Sequence, residues 1–66
     1  MRHCVVVSAS GGKLDHLRGE ANRIARDNKS DWWAETTDEG TSFCFADVNA
    51  KSLFTAICER ENIQFT

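Results

Sequence analysis

The groups that could do chemistry in this chain are its serines, cysteines, histidines and carboxylates, and their spacing favours no catalytic site. A nucleophilic serine needs a histidine placed to act as its base. The candidate serines lie in "SASGGKLD", residues 8–15, whereas His3 is near the start of the chain and His16 falls on the polar side of a predicted helix. The carboxylates of residues 35–39 fall at a predicted hairpin tip, where solvent keeps them from acting as an acid/base pair. We therefore expect a protein that is not an enzyme.

The three cysteines, Cys4, Cys44 and Cys58, are an odd number at wide spacing. Such a count fits neither a disulfide framework nor a structural zinc site, so we expect reduced and mostly buried thiols. His3 and Cys4 are adjacent, and in a strand their side chains would point to opposite faces, where they could not easily share one metal ion. We expect no metal site and no cofactor.

The segment "SASGGKLD" also places small residues and a lysine directly before a predicted helix. Free backbone N–H groups and the helix dipole favour an anion at such a position. The segment is not a Walker A motif, and a tight strand-to-helix turn capped by Ser10 or a neighbour is the ordinary alternative.

The length and composition indicate one small globular domain, residues 1–66. A chain of 66 residues buries only about 60% of the surface that its unfolded form exposes. A composition of 41% hydrophobic and 27% charged residues without proline is typical of globular proteins. The longest apolar run, "CVVV", is too short to span a bilayer, and the start "MRHC" does not resemble a signal peptide. We expect a cytoplasmic protein with no membrane contact.

The net charge of −2 is unevenly distributed along the chain. Residues 1–30 hold six basic and three acidic residues, a balance of +3, whereas residues 31–66 hold two basic and seven acidic residues, a balance of −5. Such asymmetry points to charged partners or to a self-complementary assembly.

Changes in the hydrophobic period predict the element order βαββα, followed by a short C-terminal strand. The β-branched run "HCVVVSAS" predicts a strand at about residues 2–8, and apolar residues at spacings of three and four predict helices at about 13–28 and 49–62. The apolar stripes of the two helices are Leu14, Leu17, Ala21, Ile24 and Ala25 on the first and Ala50, Leu53, Phe54, Ile57 and Cys58 on the second. "ENIQFT" predicts the last strand. The expected fold class is α+β, a ferredoxin-like βαββα(β) two-layer sandwich whose antiparallel sheet carries both helices on one face.

The segment "DWWAETTDEGTSFCFADV", residues 31–48, predicts a hairpin that turns at residues 38–40. A three-residue loop closed by glycine would pair Thr37 with Thr41. That register places five side chains on one face: Trp33, Phe43 and Phe45 with Glu35 and Asp47. The opposite face, which carries no charge, is then the expected core: Trp32, Ala34, Cys44, Ala46 and Val48. A slip of one residue would exchange the roles of the faces, and bulky aromatics favour the interior of a small domain, so both readings stay open.

If Thr37 pairs with Thr41, then Trp33, Phe43 and Phe45 form an exposed apolar patch together with Val5 or Val7. A small monomer rarely keeps such a patch without a partner that docks there.

A second candidate surface is a polar stripe on the first predicted helix, which contains Arg18, Arg26 and Lys29. Residues about one turn apart share one flank of a helix, and this flank could contact phosphate or an acidic protein. A solvated face whose bases pair with Glu20 and Asp27 is the alternative.

The segment "FCFADV", residues 43–48, followed by "NAKSLFTAI", resembles the third strand and second helix of an RNA-recognition motif. In that family, aromatic residues two apart stack on bases, so the resemblance implies binding of RNA or single-stranded nucleic acid through Phe43 and Phe45. The acidic hairpin would repel a phosphate backbone, which makes nucleic-acid binding the alternative here.

A small domain with one acidic side, an apolar patch and no catalytic constellation is similar, as a class, to small phage-encoded inhibitors such as anti-CRISPR proteins. This resemblance implies a stoichiometric binder that blocks a nucleic-acid-handling complex, sometimes by presenting carboxylates in place of phosphates. The positions that could serve are Asp31, Glu35, Asp38, Glu39 and Asp47, with a merely solubilising surface as the alternative.

The sequence therefore predicts a non-enzymatic protein-binding module. Its apolar anchors would be Trp33, Phe43 and Phe45, and its acidic rim would be Glu35, Asp38, Glu39 and Asp47. The expected partner is a basic, nucleic-acid-binding protein complex. The alternatives are direct nucleic-acid binding and a structural homodimer that pairs its open sheet faces.

Overall fold

The computed structural model describes residues 3–66, which form a small α+β structure of three strands and two helices. In chain order the elements are β1 (His3–Val7), α1 (Gly11–Asp27), β2 (Trp32–Thr37), β3 (Gly40–Phe45) and α2 (Val48–Arg60). The predicted element order is confirmed, and the bounds lie within about two residues of those expected, because the change between a period of two and a period of 3.6 is a local signal.

The sheet has the order β1-β3-β2, and both strand pairs are antiparallel. The expected C-terminal strand is reduced to a single bridge between Val7 and Phe65 at the outer edge of β1. Three hydrogen bonds hold it. The N–H of Val6 donates to the Thr66 carbonyl (3.1 Å), the N–H of Thr66 donates to the Val6 carbonyl (2.8 Å), and the N–H of Ser8 donates to the Gln64 carbonyl (3.0 Å).

Both helices end in the same hydrogen-bonded motif. Lys29 after α1 and Asn62 after α2 adopt positive φ angles of 52° and 57°. The next N–H in each case reaches back five residues, from Ser30 to the Ala25 carbonyl and from Ile63 to the Cys58 carbonyl, both at 2.8 Å. This is a Schellman cap, which satisfies carbonyl groups that the helix leaves without partners.

The core lies between the two helices and one face of the sheet. The sheet contributes Val5, Val7, Phe43 and Phe45. Both helices contribute their predicted apolar stripes, except for Leu53, which is exposed. Three rings pack together at its centre: the Phe54 ring lies 4.8 Å from Phe43 and 5.3 Å from Phe45, measured between centroids. Phe43, Phe45 and Phe54 are all 0% exposed.

The predicted register of the hairpin is wrong by one residue. Thr37 pairs with Gly40 rather than with Thr41, so the loop contains two residues instead of three. Gly40 has φ 150° and belongs to the strand, where a Cβ atom would overlap the Val7 carbonyl of β1. The sequence uses this glycine for a close approach between strands and not for a left-handed turn position.

The shift exchanges the two faces of β3. Phe43 and Phe45 turn towards the helices, and Cys44 turns away from them. The assignment of β2 is confirmed, since Trp32 and Ala34 pack against the core. Val48, predicted to be buried, is 51% exposed because it begins α2 instead of ending β3.

The expectation that all three cysteines are reduced is also wrong. Cys4 and Cys44 are directly opposite each other in β1 and β3 and are joined by a disulfide. Cys58 is a free, buried thiol, as predicted, and burial raises its pKa. The sequence did not indicate this disulfide, because Cys4 and Cys44 are 40 residues apart and only the pairing of β1 with β3 brings them together.

We predict that Gly40→Ala destabilises the protein by about 3 kcal/mol or more, because it combines a strained backbone with a steric overlap on β1. Gly19→Ala is the matched control: Gly19 is exposed on α1 and nothing lies within 4 Å of the added methyl group. That variant should gain up to about 1 kcal/mol. Urea unfolding of both variants measures the difference, and equal effects would contradict the assigned register.

We also predict that protein purified without reductant and then denatured contains one alkylatable thiol, Cys58, and three after reduction. Closing a loop of 40 residues constrains the unfolded chain, so reduction should lower the free energy of unfolding by up to about 4 kcal/mol. Mass spectrometry counts the labelled thiols. Three labels without reduction would disprove the disulfide.

Candidate functional site

The face of the sheet that points away from the helices, called the open face below, is the candidate site. The strand register arranges it in two rows. Cys4, Cys44 and Trp33 form one row across β1, β3 and β2. Val6, Ser42 and Glu35 form the next row.

The middle of the open face is largely buried. Cys44 is 2% exposed and Ser42 is 8% exposed, although the helices lie on the other side of the sheet. Cys4, Val6 and Trp33, on the outer strands, are each partly exposed. The Ser42 hydroxyl lies 3.5 Å from the Cys44 sulfur, and it must be the donor because a bridged cysteine has no S–H.

Trp33 is the only one of the three predicted anchors that reaches the open face. Phe43 and Phe45 are wrong as docking residues, since both are fully buried under the helices. Trp32, on the helix side, stacks on Phe43 with centroids 6.0 Å apart and rings nearly parallel, and its indole N–H donates to the Asn22 side chain at 3.4 Å. It is therefore held between the sheet and α1.

The predicted acidic rim divides into two groups. Glu35, Asp38 and Glu39 are exposed along β2 and at the hairpin tip, where the Thr37 hydroxyl accepts the Glu39 N–H at 3.2 Å and orders the turn. Asp47 lies at the other end of the hairpin, at the N-cap of α2. The six-residue strand β3 separates the tip carboxylates from Asp47 by about 20 Å, and Glu35 lies between them.

The three predicted basic contacts, Arg18, Arg26 and Lys29, are exposed. The expected pairing of this stripe with Glu20 and Asp27 is made by a different residue: the Arg23 guanidinium lies 2.8 Å from the Glu20 carboxylate and 3.8 Å from that of Asp27. The hydrogen bond from Arg23 lowers the pKa of Glu20.

A groove of about 240 Å³ between α1 and α2 was not predicted. Its walls include Ile24 and Ile57, and Arg23 and Arg60 border it. Leu53, which spacing assigned to the buried stripe, is 49% exposed beside the groove. Helical spacing gives the direction of a side chain but not how far the neighbouring helix extends over it, so the sequence carries no signal for this groove.

Within residues 3–66, no group of three histidine, cysteine or carboxylate side chains is placed to hold a metal ion. The described helices include none that is long and apolar enough to cross a bilayer. His16 pairs with Glu61 at 2.9 Å and links α1 to the end of α2 on the surface.

Comparisons with protein-family models, curated proteins and solved structures found no match to this chain.

Proposed function

We propose that this protein is a non-enzymatic binding module that docks on a basic protein surface through its acidic hairpin and the open face. In the proposed role it is a stoichiometric inhibitor, similar in kind to anti-CRISPR proteins, of a complex that handles nucleic acid. The observation that carries the proposal is the placement of Trp33 on the open face beside the exposed carboxylates of β2 and the hairpin tip.

The charge of the hairpin supports a basic partner. Residues 31–48 contain five acidic residues and no basic residue: Asp31, Glu35, Asp38, Glu39 and Asp47. Carboxylates at the rim of an interface mainly steer the encounter with an oppositely charged surface and exclude wrong partners. Two acidic groups at opposite ends of one hairpin could occupy two phosphate positions of a nucleic-acid site.

The anchor of the proposed interface is Trp33 alone. A tryptophan buries a large area at small entropic cost and is among the residues that most often dominate binding energy. Val6 and the Cys4–Cys44 disulfide, which share its face, would complete a small apolar centre within the acidic rim.

Nucleic-acid binding through an RNA-recognition-like sheet would need exposed rings at Phe43 and Phe45 to stack on bases. Both side chains are buried, which is an argument against this alternative. Direct binding would have to use Arg18, Arg26 and Lys29 instead. A homodimer that pairs two open faces is the other alternative, and light scattering distinguishes it from a monomer.

Two further expectations belong to this proposal. The strand order, with the terminal bridge outside β1, supports the ferredoxin-like arrangement for the fold. A cytoplasmic location stays a prediction. The disulfide is an argument against it, because disulfides persist mainly in oxidising compartments.

We predict that Trp33→Ala weakens inhibition of target-DNA binding by its partner complex by about tenfold or more, because it removes the anchor. A panel of CRISPR effector complexes is the first set to assay. Asp38→Asn with Glu39→Gln, at the solvated tip, should slow association without affecting folding. Arg26→Ala, on α1, is the control that should leave inhibition unchanged.

Folding controls separate the anchor from the core. Phe43→Ala should cost about 3–5 kcal/mol of stability. Trp33→Ala should keep the native circular dichroism spectrum. If Arg26→Ala abolishes inhibition while Trp33→Ala has no effect, the docking surface lies on α1 and the proposal is wrong.

We further predict that mixed single-stranded oligonucleotides do not bind tightly. If they did bind through Arg18, Arg26 and Lys29, the logarithm of the affinity would fall with the logarithm of the salt concentration, with a slope of about 0.7 per phosphate contact on a single strand. Fluorescence titration at several salt concentrations measures this, and tight, salt-sensitive binding would favour the nucleic-acid alternative.

A further inference from the structure

The open face contains the Cys4–Cys44 disulfide, to which the proposed docking role assigns an apolar contact but no chemistry. We propose that it is an exchangeable disulfide, a site for reversible reaction with a small thiol such as glutathione, in which Cys4 is the attacked sulfur and Cys44 the leaving thiol. The proposal stands independently of any protein partner.

Access distinguishes the two sulfurs. Cys4 is partly exposed, whereas Cys44 is 2% exposed in the central strand. The C-terminal segment bonds to β1 only at Val6 and Ser8, so among the described residues no strand lies beside Cys4 at that edge. An incoming thiolate can therefore reach the Cys4 sulfur from the edge of the sheet, while Cys44 is enclosed between two strands.

The burial of Cys44 disfavours a leaving thiolate, and the Ser42 hydroxyl offsets part of that cost. When the attacking thiolate bonds to the Cys4 sulfur, the S–S bond breaks and its electron pair stays on Cys44. Thiol–disulfide exchange becomes faster as the leaving thiolate is better stabilised. The Ser42 hydroxyl, 3.5 Å from that sulfur and buried with it, can turn its hydrogen bond towards the developing negative charge.

The chemistry balances with the small thiol as reductant. The first thiol forms a mixed disulfide on Cys4, and a second thiol attacks the sulfur of the bound small molecule. The products are the small-molecule disulfide and two protein thiols, whose protons come from the two thiols consumed. Reoxidation by the small-molecule disulfide reverses both steps.

The strand register also allows reduction of the disulfide to be followed by the fluorescence of Trp33. Trp33 is the cross-strand neighbour of Cys44 on the same face, and directly opposed residues have Cβ atoms about 4.5–5.5 Å apart. Because a neighbouring disulfide quenches indole fluorescence, reduction should increase the emission of Trp33. A Trp32→Phe background isolates this signal.

The test is to treat the oxidised, folded protein with reduced glutathione, quench it with acid, alkylate it and map the adducts by mass spectrometry. We expect glutathione on Cys4 and the alkyl label on Cys44, at a rate that does not change in low concentrations of urea. An adduct mainly on Cys44, or reduction only at the rate of unfolding, would overturn the proposal.

Ser42 is a positioning residue in this proposal, and its role predicts whether a substitution slows or speeds the reduction of the disulfide. Ser42→Ala should slow reduction by about threefold or more, because the leaving sulfur loses its donor. Ser42→Thr should retain the rate, and Thr36→Ala, at an exposed position of β2, is the control. If Ser42 were only structural, its loss would loosen the sheet and speed reduction, so an unchanged or faster rate overturns the assigned role. The adduct map of the unaltered protein decides the site even if a variant does not fold.

Discussion

The close approach of Gly40 to the Val7 carbonyl is the contact on which the rest of the structure depends. It leaves no room for a side chain at position 40 and aligns β3 against β1. A two-residue loop then follows from pairing Thr37 with Gly40. Because side chains alternate along a strand, this one alignment sends Phe43 and Phe45 into the core and Cys44 to the open face.

The consequences extend to both layers. On the helix side, the rings of Phe43 and Phe45 meet Phe54, which gives a domain of this size the large buried side chains that it needs. On the open face, the same alignment sets Cys44 opposite Cys4, so that a covalent bond joins β1 to β3. An interior rich in phenylalanine and a disulfide outside it therefore have one common cause.

Element types and order could be read from the sequence because they rest on local periodicity. The register of β3 could not, since "TDEGT" is compatible with a loop of two or three residues and the choice is made by a contact with β1, more than 30 residues away. The same limit applies to the disulfide and to the groove beside Leu53. Trp33 and Glu35 share one face of β2, as predicted, because the faces of a strand follow from its own alternation.

The disulfide gives the open face a chemical state as well as a shape. A cross-strand bond beside Trp33 fixes the strand that forms the floor of the proposed docking surface. In a reducing compartment its persistence at equilibrium depends on its reduction potential, and the rate of exchange sets how soon that equilibrium is reached. The charge of the hairpin and the redox state of the Cys4–Cys44 disulfide would then both affect the proposed docking surface.

Cross-strand proton contacts in the NMR spectrum test the register most directly. The Cα atoms of Cys4 and Cys44 lie 4.0 Å apart, a spacing typical of a non-hydrogen-bonded pair. Alternation along the central strand then makes Ala34 and Phe43 a non-hydrogen-bonded pair on the other side, with their α-protons close together. We expect a strong nuclear Overhauser effect between these two α-protons. Contacts that instead pair Phe43 with Glu35 and Phe45 with Trp33 would return the aromatics to the open face and contradict this account.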